Sequence, residues 1–427
     1  MLTADSKSAF KSWCVVLSAA LFFLFEYVNL NSFNALNADL RLSFHADALQ
    51  ISNLSAMYFY ANVLFLIPAG LLLDRYSSRN LILLALCLSI IATYVFATTD
   101  SFTIAKTCRF ITGMASTFCL LSTTVLTSRW FPSRKSALVM GCVVSMPMLG
   151  GTLAQQTGWL ATTLGGWRPA LILIASIGIL FWFLIAWTVR DYPPNYQSEF
   201  WAQHPKTLHL ISFWQSLKLS LKKTQVWYAG IYTQLLCLPV FILGALWGKE
   251  YLMVTHALSA SEAELCSSLI FIGMLVGSPL QGWFSDHIGY RKWPMVAGGI
   301  LTLVIMLCIM GISNLTLWSL YSLFFGLGFF SATQIITYAL LIESSPSHLT
   351  GSTESVAGVI IMSSGAIFQP LFGYLLQSDW SGQTVTGVAV YTASDYQHAL
   401  WLLPVAFAVS VFFALCIQET FAERQYA

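Results

Sequence analysis

The sequence predicts an all-α integral membrane protein of twelve transmembrane helices in two related six-helix bundles, and three observations predict it. Only 9% of the residues are charged and 57% are hydrophobic, with a mean hydropathy of +0.71, whereas soluble domains carry about a quarter charged residues. Between polar turns the chain holds twelve apolar runs, most of them near the ~20 residues that cross a bilayer. Finally, Gly70, Asp74 and Arg79, in the spacing G-x-x-x-D-x-x-x-x-R, return as Gly282, Asp286 and Arg291, each displaced by 212 residues. One offset maps the first half of the chain onto the second.

Taken in order, the spans fall near 12–35, 51–73, 80–98, 102–127, 137–162, 169–189, 225–248, 264–285, 293–313, 315–341, 353–377 and 397–418. Lys7 and Lys11 precede the first run as in a signal peptide, but that run exceeds the length of a signal's apolar core, which predicts an uncleaved first span. The halves are 1–190 and 225–427, joined by a polar linker at 191–224. Asp191, Tyr192, Pro193 and Pro194 open the linker and stop the sixth helix. Further on, apolar positions at 210, 213, 214, 217 and 221 share one helical face with Lys218 and Lys222 off it, as in a helix lying on a membrane surface. Lysine and arginine set the orientation. With both termini inside, fifteen of the 20 basic residues lie on the inner side, four on the outer side, and Arg109 alone lies within a span. The motif turns, with Asp74, Arg75, Arg79, Asp286 and Arg291, then face the cytoplasm.

The same residues exclude several functions. A net charge of +2 without a basic stripe or zinc spacing argues against nucleic acid as a partner. The nine cysteines stand singly in apolar runs and the seven histidines at loops or span ends, so neither a metal site nor a cofactor is expected. No H-E-x-x-H, G-x-S-x-G or phosphate loop is present, and an enzyme is not expected.

The duplicated G-x-x-x-D-x-x-x-x-R turns between spans 2 and 3 and between spans 8 and 9 resemble those of the major facilitator superfamily of transporters. Arg109 and Gly113 in span 4 resemble its R-x-x-x-G motif, Arg129-Trp130-Phe131-Pro132 its loop between spans 4 and 5, and Gly166-Trp167-Arg168 the start of its span 6. The family usually has glycine where Ser77 stands, while Gly289 keeps it, which implies a less tightly wound first turn. The resemblance implies two halves rocking about a central site, with Gly70, Asp74, Arg75, Arg79, Gly282, Asp286 and Arg291 as a cytoplasmic latch made of charge-assisted hydrogen bonds. Spans 1, 4, 7 and 10 would line the pathway.

Charged groups inside a span usually mark a pathway. Glu26 lies seven residues before Phe33, near the outer end of span 1, and Arg109 seven after Phe102 at the start of span 4, so in the family's arrangement the two face each other or a shared water. Burial favours the neutral carboxyl and a nearby arginine the charged one; motion that changes their separation would load and release a proton. Substrate-binding candidates are Tyr27, Asn29, Asn34, Tyr58, Asn62, Arg109, Thr123, Gln234, Gln334 and Tyr338, whose amides, hydroxyls and single cation suit a small polar solute, perhaps anionic. Polar side chains also join membrane helices to one another, so each has that plainer reading as well. Pro147 with Gly150 and Gly151 marks a pivot in span 5, similar to the family's antiporter motif except for Met146 where antiporters have glycine. The chain is thus expected to be a monomeric, proton-coupled symporter of the bacterial inner membrane, whose partners are protons, a small-molecule substrate and the lipid bilayer. The alternative is a drug or metabolite antiporter that exports, or a siderophore or amino-acid transporter.

Overall fold

The computed structural model describes residues 2–131, 133–193, 218–312, 314–344, 350–378, 380, 382–385 and 388–421. The first six spans are helices Leu2–Phe44, Ala48–Arg75, Ser78–Thr98, Phe102–Trp130, Ser133–Ala154 and Trp167–Thr188. The second six are Thr224–His256, Ala260–Ile288, Lys292–Gly311, Leu317–Glu343, Thr350–Ser378 and Ala393–Cys416. Eleven are long and apolar enough to cross a membrane; in span 5 the apolar stretch Val139–Ala154 is shorter. The linker's surface helix falls largely outside the described residues; its last turn is helical, with Ser220 Oγ 3.2 Å from Thr353 Oγ1.

Four spans depart from the single α-helices expected. Span 5 ends at Ala154, turns at Gln155 and Gln156, and resumes as Thr157–Leu164. Span 7 is α-helical over Thr224–Leu236, widens into a π-helix over Pro239–Trp247, and returns to α over Gly248–His256. The wide stretch begins at Pro239, which has no N–H to give to an α-helical partner. Span 10 tightens to a 3₁₀ turn over Ala332–Ile335. Span 12 breaks between Leu400 and Leu402, where Pro404 cannot bond back to the Leu400 carbonyl. A two-stranded hairpin, Thr384–Val385 with Val388–Ala389, adds to the loop between spans 11 and 12.

Small residues let helices approach within each half. A Cβ on Gly113 would overlap the Tyr58 backbone, locking span 4 to span 2, and in the second half one on Gly328 would overlap the Ile270 backbone, locking span 10 to span 8. The motif turns are also braced by half. Ser77 caps the helix of span 3 with φ −61°, so the first turn needs no left-handed residue, whereas the second uses Gly289 at φ +71°. An acid from the end of each half's sixth helix caps the helix that follows the turn. Asp191 accepts from Ser77 Oγ at 2.5 Å and Arg79 N–H at 3.0 Å; Glu419 accepts from the N–H groups of Arg291 and Lys292 at 2.7 and 2.9 Å.

The two halves meet asymmetrically. On the face away from the chain ends, here the distal face, span 2 runs along span 11 and span 5 against span 8: Gly365 abuts the Phe59 ring and Gly151 the Phe271 ring. On the face that carries the chain ends and motif turns, the terminal face, Gly70, Gly141 and Gly282 have nothing within 4 Å of where a Cβ would stand. Among the described residues the hydrogen bonds between the halves all lie toward the distal face, whereas toward the terminal face the halves meet by packing such as Gly358 against Leu66, and a cleft reaches the half-buried Tyr27, Gln334 and Tyr338.

Candidate functional site: a buried acid and base beside a one-sided cleft

Span 1 sorts its polar residues onto two faces. Residues seven apart lie two helical turns apart on one side, and Tyr27, Asn34 and Arg41 share the side turned to the second half. Tyr27 is within electrostatic reach of Cys237 and Tyr338, Asn34 bonds the Lys249 N–H, and Arg41 pairs with Glu250. Glu26 and Asn29 point instead into the first bundle, toward span 3. Asn29 Oδ1 accepts from Thr93 Oγ1 at 3.2 Å, its Nδ2 donates to the Phe25 carbonyl at 3.3 Å, and Ser89 neighbours Glu26.

Arg109 joins this inner set. Its guanidinium lies over the Phe33 ring at 4.1 Å and the Tyr58 ring at 5.3 Å, and Nη1 donates to the Asn29 carbonyl at 3.3 Å. A small cavity beside it is lined by Asn29, Phe33, Thr93, Cys108 and Thr112. Glu26 is 0% exposed and Arg109 3%; the Ser89 hydroxyl stands beside Glu26 without a well-formed bond to either carboxylate oxygen, and Nε and Nη2 of Arg109 have no hydrogen-bond partner among the described residues. No ion pair joins the two among the described residues. The structure thus brings the predicted acid and base into one bundle without bonding them to each other. Most buried polar groups are paired, so an acid and a base left incompletely paired at this depth mark a candidate functional site.

The other substrate candidates divide between cleft and bundle. At the cleft, Tyr27, Gln334 and Tyr338 are half-buried; Gln334 Oε1 accepts from Cys237 Sγ at 2.5 Å, and Gln234 Nε2 donates to Ser363 Oγ at 2.9 Å. This is where the distorted segments of spans 7 and 10 meet, and local 3₁₀ and π geometry recurs at functional sites. Within the first bundle, Asn62 bonds Ser116 Oγ at 2.8 Å and Thr123 spends its hydroxyl on the Cys119 and Leu120 carbonyls of its own helix. Asn34 is fully buried in the distal seal. In span 5, a Cβ on Gly150 would overlap the Leu24 carbonyl of span 1, one on Gly151 would enter the Phe271 ring of span 8, and Pro147 lies inside the helix.

The distal seal contains residues that sequence reasoning treated as ordinary outer-loop charges. Arg41 pairs with Glu250 at 3.0 Å, donates to the Ala389 carbonyl of the hairpin, and lies over the rings of Tyr391 and Trp247 at 4.8 and 5.9 Å. All four partners belong to the second half. Lys249 crosses the other way, donating from Nζ to the Ala35 carbonyl at 2.8 Å while pairing with Glu264 at 2.6 Å. Tyr391 Oη accepts the Ala48 N–H at the start of span 2. The available signal was opposite charge at the outer ends of spans 1, 7 and 8, which the basic-residue tally counts by side but does not pair.

At the terminal face the motif charges brace each half separately. Arg291 donates to Asp286 at 2.5 Å and to Glu343 at 2.6 Å, and Thr420 Oγ1 donates to Glu343 at 2.5 Å. Burial alone would lower the Arg291 pKa, but Glu343 and Asp286 outweigh it and raise it above the ordinary arginine value. Arg79 donates to the Ala186 carbonyl at 2.6 Å. The side chains of Asp74 and Arg75 lie outside the described residues, and among the described residues no hydrogen bond of Arg79, Asp286 or Arg291 reaches the opposite half.

Comparison with known proteins gives this geometry its context. A family model for the Major Facilitator Superfamily matches residues 15–370 and again 233–424. A relative from Escherichia coli strain K12, described as a probable galactarate/D-glucarate transporter, is 20% identical over 88% of this chain and 89% of its own. The D-galactonate transporter of E. coli O6:H1 is 26% identical over 82% and 86%. Among solved structures, a bacterial homologue of the human lysosomal transporter Spinster, in an inward-facing and occupied conformation, superposes with a TM-score of 0.76 at 15% identity, covering 94% of this chain and 96% of that one.

Proposed function

Because this chain belongs to the Major Facilitator Superfamily of membrane transporters, we propose that it is a secondary active transporter that moves a small organic anion by alternating access, coupled to protons as a symporter. The observation that carries the reading is the pair Glu26 and Arg109, buried in one bundle beside the cleft, within electrostatic reach of each other yet joined by no ion pair among the described residues. A proton on Glu26 removes its negative charge and leaves Arg109 as uncompensated positive charge, which raises the affinity of the cleft for an anion. Release of the anion restores the field that favours the ionised carboxylate, and the proton leaves. The names of the sugar-acid relatives support a hydroxy-acid cargo, for which the hydroxyls and amides of Tyr27, Gln234, Gln334 and Tyr338 supply neutral partners.

In this reading the terminal face is cytoplasmic, as the fifteen-to-four distribution of basic residues supports, the distal face is periplasmic, and the conformation described is inward-open. The motif charges form the latch only when the terminal face closes. The protein works as a monomer in the inner membrane. Reconstituted vesicles with an imposed pH gradient test the assignment, using labelled D-galactonate and galactarate as probes. Accumulation above the external concentration is expected with the gradient and is abolished by Glu26→Gln, which retains exchange across an equal concentration. Accumulation that persists in Glu26→Gln, or uptake of either probe that never depends on the gradient, refutes proton coupling through Glu26.

A further inference from the structure

Two side-chain amides of the first half are threaded into the backbone of span 7. Asn34 Oδ1 accepts from the Lys249 N–H at 3.0 Å, Asn34 Nδ2 donates to Gln155 Oε1 at 2.7 Å, and Gln155 Nε2 donates to the Gly244 carbonyl at 2.9 Å. Gly244 and Lys249 are five residues apart, the spacing that one π-turn would join, and they bracket the end of the π-helical stretch. The two amides therefore form a closed bridge from span 7 through spans 1 and 5 and back to span 7. Both are 0% exposed. The neighbouring carbonyls of the π-helix are taken in the same manner: Leu246 accepts from Asn37 Nδ2 of span 1 at 2.6 Å and Phe241 from Gln369 Nε2 of span 11 at 2.7 Å.

We infer that Asn34 and Gln155 are gate-positioning residues, a clasp that holds the distal face shut by completing the hydrogen bonding of the π-helical stretch of span 7, and that Asn34 does not contact the transported solute. An amide side chain has one carbonyl and one NH₂, and here each member gives one donor and one acceptor to the ring. Parting the halves at the distal face pulls Asn34 and Gln155 away from span 7 and exposes the Gly244 carbonyl and Lys249 N–H, which either hydrate or re-form their turn as an α-helix. The clasp thus couples the local winding of span 7 to the opening of the whole distal face. It rests on the alternating-access reading above, though not on the identity of the cargo or on proton coupling.

Hydrogen exchange of the full-length protein in lipid nanodiscs tests it, comparing the parent with Asn34→Leu and with the near-isosteric Gln155→Met. Loss of one such buried bond shifts an opening equilibrium by about fivefold. Exchange is expected to quicken about fivefold at residues 246–252 and also at 48–52, which the clasp does not touch. It should stay nearly unchanged at 141–145 and 280–284, since a fivefold gain in a minor distally open state scarcely depletes the major one, and the double variant should exceed neither single variant by more than about twofold. Unchanged exchange at 246–252 and 48–52 in a folded variant overturns the clasp, as does faster exchange at both faces, which marks loosened folding. Faster distal exchange in the variants, with no gain at 48–52 when a cross-link between residues 141 and 282 holds the terminal face shut, keeps the clasp and refutes alternating access instead.

Discussion

Removing Arg41 isolates a buried charged tie between the halves. Its guanidinium and the Glu250 carboxylate are 7% and 13% exposed and 3.0 Å apart, so they are a buried pair rather than a surface one. Deleting one member of such a pair costs about 3–5 kcal/mol, because the survivor stays in low dielectric uncompensated. In Arg41→Ala, Glu250 keeps, among the described residues, the hydroxyl of Tyr396 at 2.9 Å. The cost falls on the distally closed conformation, since opening that face lets water reach the carboxylate. At 1.4 kcal/mol per tenfold, a penalty of about 3 kcal/mol moves the balance toward the distally open state about a hundredfold. A cysteine placed at Ser52, fully buried in the seal, in a background without the nine native cysteines, reports the opening through its rate of reaction with an impermeant maleimide. The rate should rise steeply in Arg41→Ala and in Glu250→Ala, and the double variant should recover much of the difference because no buried charge is then left alone. Additive single effects, with a coupling under about 0.5 kcal/mol, would refute the reasoning.

Two further tests follow from packing and charge. Gly365→Val thrusts a branched side chain into the Phe59 ring of the opposite half, an overpacking worth about 1–3 kcal/mol against distal closure; uptake should fall while the melting temperature holds, and a fall in both would place the damage in folding. At the terminal face, Glu343→Gln should lower thermal stability by about 2 kcal/mol, and Asp286→Asn by much less, since the Asp286 side chain is 67% exposed and that of Glu343 is 11% exposed. The reverse order in melting temperature would contradict the burial argument.

Much of the molecule was legible before any coordinates. Apolar runs of bilayer length, a repeated turn at one offset and the bias of basic residues are one-dimensional signals, and the solvent they answer to is uniform across the membrane. They yielded the succession of apolar spans, the duplication and the placing of Glu26 and Arg109 inside spans 1 and 4. The same signals could not tell which face of span 1 holds Glu26 and which holds Asn34, because that depends on helix rotation against neighbours. Nor could they foresee the π-helical stretch after Pro239, which persists where side chains from spans 1, 5 and 11 are in place to take its carbonyls.

The sequence by itself determined that this chain lives in a bilayer, that it is a duplicated transporter fold, and that Glu26 and Arg109 fall within its apolar runs. Only the tertiary structure decided which polar residues seal the distal face and which are left to the cleft. The physical reason is that an amide or a guanidinium is chemically equal to either task, and its role is fixed by whether a partner from a distant part of the chain, such as Lys249 for Asn34 or Glu250 for Arg41, already satisfies it.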